Sequence, residues 1–176
     1  MRKFIVGVIG FGFFHAGIQG GNPALTEPVR VCEVLENLDQ YRDKPVAVLG
    51  RYSFRSTGRY LSETSCEPAA QKSSAAGQGA LRLQVDAKEA PRLPEPFDID
   101  ADMTDRKLRL IRKATTLGKF RFGSLEYDRW AVVYGRVEPA SESPAAAPGG
   151  TKSELEPAAA RLVYRGDGLI FFLSGE

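Results

Sequence analysis

The sequence predicts a mainly β protein, a small β-barrel with a helix at its N-terminal end and one more helix between the third and fourth strands. Three observations indicate this class. Several short segments are rich in β-forming residues or alternate apolar and polar residues with the period of a strand. Two segments have the three- and four-residue apolar spacing of a helix. Stretches rich in Gly, Pro and Ser separate these elements.

The first element is a helix over residues 31–44. Its apolar residues recur at spacings of three and four, which places them on one helix face. They are Val31, Val34, Leu35, Leu38 and Tyr41. The helix is expected to end at Asp43-Lys44-Pro45, because proline cannot continue it.

Three strands follow. Residues 46–55 are rich in β-forming side chains around Gly50, which predicts a long strand with a bend or bulge at that glycine. Residues 56–58 form a tight turn into a second strand over residues 59–64. Residues 80–86 alternate apolar and polar side chains, so this third strand is expected to have one face in solvent.

The second helix is predicted over residues 104–117. Its apolar stripe consists of Leu108, Ile111, Ala114 and Leu117. Asp102 or Thr104 can cap its N-terminus, and Gly118 ends it.

The remaining elements are β. Residues 128–138 predict a strand, and residues 161–173 predict a hairpin turning at residues 166–168. Segments 67–79 and 139–157 have compositions that cannot pack a core and predict mobile loops. Residues 29–176 therefore form a single domain with the element order of an OB-fold, a five-stranded Greek-key barrel. A small α+β roll is the alternative.

Residues 1–22 have the pattern of a secretory signal peptide. Arg2 and Lys3 precede eleven residues, 4–14, that are only Phe, Ile, Val and Gly. Extended to Ile18, the apolar segment has fifteen residues, whereas a membrane-spanning helix needs about 20. We therefore expect an exported protein, periplasmic or extracellular, that is not an integral membrane protein.

Removal of this leader changes the charge and the available chemistry. The chain has 24 Lys and Arg against 22 Asp and Glu, and the loss of Arg2 and Lys3 leaves 22 of each. A neutral domain makes nucleic acid an unfavourable partner. The single histidine, His15, also lies in the leader, so histidine-dependent catalysis and metal binding are excluded from the mature chain. The sequence shows no phosphate loop, nucleophile elbow or metal motif, and we expect no cofactor and no catalytic constellation.

Cys32 and Cys66 are the two cysteines. Two cysteines are too few for a four-cysteine zinc site. In an oxidising compartment they predict one disulfide, which would tie the first helix to the end of the first pair of strands.

Two charged segments are candidate ligand sites. Asp98, Asp100 and Asp102 alternate as at the start of a calcium loop, but the glycine and glutamate that such a loop requires are absent. An acidic connection before a helix N-terminus is the preferred interpretation. A basic cluster on the second helix could bind an anionic surface or could be a solvated face. It includes Arg106, Lys107, Arg109, Arg112 and Lys113.

Aromatic and arginine side chains on the predicted strands form a third candidate, because OB-folds bind bases and sugars on such faces. These side chains are Arg51, Tyr52, Phe54, Arg59, Tyr60, Trp130, Tyr134 and Arg136. Tyr52 and Phe54 share the parity of neighbouring valines and are expected in the core. Arg59, Tyr60 and Trp130 are the candidate ligand-binding residues.

One group of residues resembles the opening of small secreted bacterial proteins of unknown function with an OB-like barrel. The group consists of residues 31–35 (VCEVL), Tyr41, Lys44, Val46, Val48, Gly50, Arg51, Leu61 and Cys66. The segment from Tyr41 to Gly50 is also similar to the first helix and strand of OB domains of the tRNA-anticodon-binding type. The resemblance implies an exported OB-like barrel and brings no catalytic residues.

These observations favour an exported binding or interaction module of unknown ligand. Its partner could be an envelope protein, a glycan or an anionic surface. The alternatives are a histidine-free enzyme that uses carboxylates and an envelope-associated structural protein.

Overall fold

The computed structural model describes residues 25–64, 66, 79–119, 123–139, 160–166 and 169–174. The elements in these ranges are β1 (Val29–Arg30), α1 (Val31–Glu36), α2 (Leu38–Tyr41), β2 (Pro45–Arg55), β3 (Gly58–Glu63), β4 (Gly79–Val85), α3 (Ala101–Arg112), β5 (Tyr127–Pro139), β6 (Ala160–Tyr164) and β7 (Ile170–Phe172). The predicted leader and nearly all of both predicted loops lie outside the described residues. Gly79 and Pro139, at the edges of those loops, belong to β4 and β5.

Five strands close into a barrel. β2 pairs in antiparallel fashion with both β3 and β5, and β3 pairs in the same way with β4. β6 lies parallel to β4 and antiparallel to β5, so the order β2-β3-β4-β6-β5 returns to β2. α3 connects the third and fourth barrel strands. The structure thus confirms the mainly β, OB-fold-like Greek-key barrel.

The core has an inner and an outer layer. Tyr52, Leu61 and Leu81 are cross-strand partners in the barrel interior and are almost fully buried. Residues of opposite parity, such as Leu49 and Val132, are also inaccessible. The connection before α3 covers part of this outer face: the ring of Phe97 contacts those of Tyr134 and Phe171 at centroid distances of 5.3 and 5.6 Å. Burial on both faces explains the continuous apolar runs of β2 and β5.

Gly50 is required because α1 approaches β2 closely. A Cβ at this position would lie 2.8 Å from Val31 Cγ2 and 3.1 Å from the carbonyl oxygen of Ser62. The pairing of β2 with β5 continues one-to-one through Gly50, which lies opposite Ala131, so the predicted bulge does not interrupt this register. The glycine makes room for the helix that packs at this end of the barrel.

The predicted helix over residues 31–44 is two short helices, so its continuity was predicted wrongly. Asn37 separates them with φ −127° and ψ 42°, and its side-chain amide donates to the carbonyl of Glu33 at 3.0 Å. This side-chain bond competes with the helical backbone. The buried residues are in α1, where Val31, Val34 and Leu35 pack against the barrel.

α3 begins and ends earlier than predicted. Its N-cap is Asp100, whose Oδ1 accepts the Met103 N–H at 2.9 Å, in place of Asp102 or Thr104. The helix ends at Arg112, and Thr115 turns inward to accept the backbone N–H of Thr64 at 2.9 Å. This tertiary contact diverts the chain before Leu117, which is 38% exposed.

The hairpin predicted over residues 161–173 is wrong. β6 and β7 both run antiparallel to β5 along the same edge, β6 beside Arg136–Pro139 and β7 beside Ala131–Val133. The other edge of β6 pairs with β4 and closes the barrel, which leaves β7 to continue along β5. Sequence alternation marks strands but does not identify their partners.

The predicted disulfide is confirmed. Cys32 and Cys66 are bonded, with a Cα–Cα distance of 4.9 Å, and both are buried. The bond joins α1 to the chain just after β3. Beside it, the inaccessible carboxylate of Glu63 pairs with Arg30 and accepts the backbone N–H of Cys32 at 3.2 Å. Covalent, ionic and apolar contacts therefore hold α1 at one end of the barrel.

In the described part of the chain no helix has the length and apolar character needed to cross a membrane; α3, the longest, has 12 residues.

Candidate functional site

The end of the barrel away from α1 contains an aromatic cavity of about 440 Å³, here called the mouth. Its lining residues are Tyr52, Phe54, Arg59, Leu125, Tyr127, Ile170 and Phe172. They come from β2, β3, β5, β7 and the segment before β5. The volume is within the range of about 300–1,000 Å³ that is usual for small-molecule sites.

Strand register brings the mouth's rings together. Phe54 lies opposite Tyr127, and their rings are stacked with centroids 5.6 Å apart and planes 15° apart. Tyr52, two positions earlier on the same face, contacts Tyr127 at 5.9 Å and the edge of Phe172 at 5.6 Å. Three separate strands therefore build one continuous aromatic surface, with tilted, stacked and edge-on contacts that favour ring packing.

The surface extends from the core to solvent. Tyr52 is buried, and Phe54 and Tyr127 are half-buried. Phe172 is 47% exposed and Leu125 is 86% exposed. A ligand can therefore contact the outer rings and Leu125 without unfolding any part of the barrel.

Two arginines lie against these rings. Arg59 Cζ is 5.8 Å from the centroid of Phe54, and its Nη1 donates to the hydroxyl of Tyr164 at 2.8 Å. Arg129 Cζ is 6.0 Å from the centroid of Tyr127 and 5.7 Å from that of Phe172. All three distances are typical of cation–π contacts. The mouth thus combines aromatic faces with positive charge.

Tyr52 is a neutral phenol in this environment. Burial raises its pKa above the usual range, and Tyr127 raises it further, whereas the charge of Arg59 opposes the shift. The phenol therefore keeps its proton at physiological pH and can act as a hydrogen-bond donor.

A polar cleft of about 670 Å³ adjoins the mouth and shares Tyr127 with it. Asp128 lies in its wall with a side chain that is 2% exposed, pairs with Arg55 and accepts the Gly118 N–H at 2.6 Å. Burial by itself would raise the pKa of Asp128, but the neighbouring Ser53 hydroxyl, the hydrogen bond from the Gly118 N–H and the charge of Arg55 lower it. Asp128 is therefore a carboxylate anion on β5, and its hydrogen bond with Gly118 holds the segment after α3 against that strand.

The candidate residues Arg59, Tyr60 and Trp130 do not form one group. Arg59 lines the mouth. Tyr60 lies on the outer face, where its hydroxyl donates to the carbonyl of Thr57 at 3.3 Å. Trp130 is 5% exposed, and the guanidinium of Arg112 lies 5.8 Å from its ring centroid. α3 therefore covers the tryptophan face that the sequence offered for stacking.

The basic cluster of α3 is divided among different contacts. Arg112 packs on Trp130 as described, and Lys107 pairs with Glu27 at 2.9 Å and Glu33 at 3.4 Å. Arg109 and Lys113 are exposed. Binding of an anionic surface by these residues stays a prediction; Arg106, like Arg109 and Lys113, is exposed.

The acidic segment before α3 includes the helix cap, since Asp100 accepts the Met103 N–H. Within the described ranges, no cluster of three or more His, Cys, Asp or Glu side chains is placed to hold a metal ion.

The residues that sequence reasoning did not select are Tyr127, Arg129 and Phe172. Tyr127 and Arg129 are two positions apart at the start of β5, and residues with this spacing lie on the same face of a strand. Their partner Phe172 depends on the position of β7 beside β5, and the predicted hairpin concealed it.

Comparisons of the chain with protein-family models, with curated proteins and with solved structures give no significant match. The geometry of the mouth is therefore the main indication of what this protein does.

Proposed function

We propose that this protein is an exported binding module that holds a ring-bearing ligand in the mouth of its barrel. The observation that supports the proposal is the aromatic surface of Tyr52, Phe54, Tyr127 and Phe172 around an open cavity of about 440 Å³. Concave, mostly apolar cavities with a few oriented polar groups are the usual form of small-molecule sites.

Export is supported by two features. The first is the signal-peptide pattern of residues 1–22. The second is the Cys32–Cys66 disulfide, which is consistent with an oxidising compartment such as the periplasm or the extracellular space.

A carboxylate-based enzyme is a weaker proposal. Carboxylate enzymes that use one carboxyl group as acid and another as base need two such groups with pKa values shifted apart. Asp128 and Glu126 both line the polar cleft, but the pKa of Asp128 is lowered, and its two oxygens accept from Arg55 and Gly118. Its bonds are those of a structural anion.

A purely structural role does not explain why apolar side chains of the mouth are exposed to solvent. Leu125 and Phe172 present 86% and 47% of their surfaces to solvent next to an aromatic cavity. Exposed apolar side chains that adjoin a cavity are typical of ligand-binding grooves.

The proposal is tested with N-phenyl-1-naphthylamine, a neutral two-ring probe whose fluorescence rises in apolar sites. We expect saturable binding to the exported protein and about tenfold weaker binding by the Phe172→Ala variant, because truncation of a ring at the centre of a contact commonly costs more than 1 kcal/mol. Leu110→Ala is the matched control, since Leu110 is a 51% exposed apolar residue on α3.

Near-ultraviolet circular dichroism verifies that each variant keeps the native packing. Absence of saturable fluorescence with the native protein, or equal loss of binding in the Phe172 and Leu110 variants, would contradict the proposal.

A further inference from the structure

We infer that the ligand of the mouth is a small organic anion, a ring that carries a carboxylate, sulfonate or phosphate group, and that Arg129 binds its charge. The inference rests on the proposed function and adds the chemical class of the ligand. Three observations support it: the position of Arg129, the ion pairs that other arginines of the barrel make, and a second cation at the same surface.

Arg129 is positioned by the sheet. It lies opposite Tyr52 in the pairing of β2 with β5, on the same face as Tyr127. Two residues later, Ala131 pairs with Phe172, which brings that ring next to the guanidinium. Arg129 is therefore an exposed cation placed over two rings of the mouth.

Three other arginines on the barrel are neutralised by carboxylates. Arg55 pairs with Asp128, and Arg136 and Arg161 share Glu138. Across the described residues no carboxylate lies within ion-pair distance of Arg129, and its recorded contacts are with aromatic rings. A guanidinium in this setting can accept an incoming anion without breaking an existing ion pair.

A second cation faces the same aromatic surface. Arg59 lies over Phe54, and its donation to the inaccessible hydroxyl of Tyr164 fixes the orientation of its guanidinium. The stacked pair of Phe54 and Tyr127 therefore has one guanidinium at each end. Two positive charges at one surface attract an anion more strongly than either charge alone.

The dimensions favour a small molecule over a polymer. The cavity of about 440 Å³ has room for one or two rings. The ring would stack against Phe172 and Leu125, which are the exposed members of the surface, while the acidic group meets Arg129.

Two probes with the same ring systems separate the charge from the ring. 8-Anilinonaphthalene-1-sulfonate carries a sulfonate, and N-phenyl-1-naphthylamine does not. We expect the sulfonate to bind more tightly, and Arg129→Gln to weaken its binding by about tenfold, the usual size of a lost charge-assisted contact. The same substitution should change binding of the neutral probe by less than about twofold. Arg129→Lys should recover part of the loss, because it keeps the charge but not the planar fork.

Arg82→Gln is the matched control, since Arg82 is an exposed arginine on the outer face of β4 and its loss changes net charge equally. Equal affinity for the two probes, or an equal effect of Arg82→Gln and Arg129→Gln, would overturn the anion inference while leaving the binding module intact. Failure of both probes to bind would reject the module as well. Weakening of sulfonate binding alone by added salt would further support the role of charge.

Discussion

Glu138 shows how single side chains complete the barrel. Its Oε1 accepts from Arg136 at 3.1 and 2.7 Å, and its Oε2 accepts from Arg161 at 2.8 Å. Arg161 also donates to Gln84 at 3.2 Å, so the network extends from β5 across β6 to β4. Burial by itself would raise the pKa of Glu138, but the hydrogen bonds and charges of the two arginines lower it.

This lowered pKa predicts an acid-sensitive contribution to stability. A carboxyl group with a lower pKa in the folded state stabilises that state above its unfolded pKa of about 4.3, and the contribution is lost as pH falls through the folded pKa. We expect Glu138→Gln to reduce the free energy of unfolding by about 1–2 kcal/mol at pH 7, the range of a lost charge-assisted network. The deficit should shrink as pH falls from 5 to 3. Urea titrations measure both effects.

The control for this prediction is Glu95→Gln, which changes an exposed glutamate in the connection before α3. A constant difference between wild type and Glu138→Gln over the whole pH range would contradict the linkage argument.

At the residue scale, the sequence predicted the core position of Tyr52 on β2, and it selected Arg59, which the structure places in the lining of the mouth. It did not predict that Trp130 is covered or that Arg129 lies at the mouth. Tyr52 and Trp130 are both buried aromatic residues on long strands. Tyr52 lies in the barrel interior, whereas Trp130 is buried on the outer face because Arg112 of α3 covers it. Side-chain type and parity do not contain that information.

Among the elements, α1 illustrates how a short helix is stabilised by its surroundings. Six residues are too few for an isolated helix in water. α1 is held by burial of Val31 and Val34, by the Arg30–Glu63 pair and by the Cys32–Cys66 bond. Its periodicity was visible in the sequence, but its end was not, because the interruption at Asn37 depends on a side-chain hydrogen bond.

The disulfide of α1 leads to a prediction about both stability and compartment. Replacing Cys32 and Cys66 together by alanine should lower the free energy of unfolding by roughly 3–4 kcal/mol, since the bond closes a separation of 34 residues. Denaturant titration measures this difference. Protein recovered from the periplasm should gain the mass of two alkyl groups only after denaturation and reduction.

The control is denatured protein treated with the alkylating agent without reductant, because denaturation exposes both sulfurs, which are buried in the native fold. Alkylation of unreduced protein from that compartment would contradict the assignment, as would equal stability of the double variant and the wild type.

The whole molecule shows little electrostatic bias once residues 1–22 are removed, because 22 basic and 22 acidic side chains remain. We therefore expect the domain without its leader to elute from heparin below about 0.15 M NaCl, since polyanion binding requires several unbalanced cations. A heparin column with a salt gradient makes the measurement. Elution well above physiological salt would contradict this expectation. If Arg109→Glu and Lys113→Glu then lowered the eluting salt concentration and the control Arg82→Glu did not, the result would support an anion-binding role for α3.

The sequence alone determined the β-barrel class, the position of α3 between the third and fourth barrel strands, and the disulfide. These properties follow from local periodicity, turn composition and cysteine number. The tertiary structure decided that β6 and β7 share one edge of β5, that α3 covers Trp130, and that Phe54, Tyr127, Arg129 and Phe172 meet at one opening. The physical reason is that strand pairing depends on contacts between residues far apart in the chain, and the mouth exists only where those pairings place separate strands side by side.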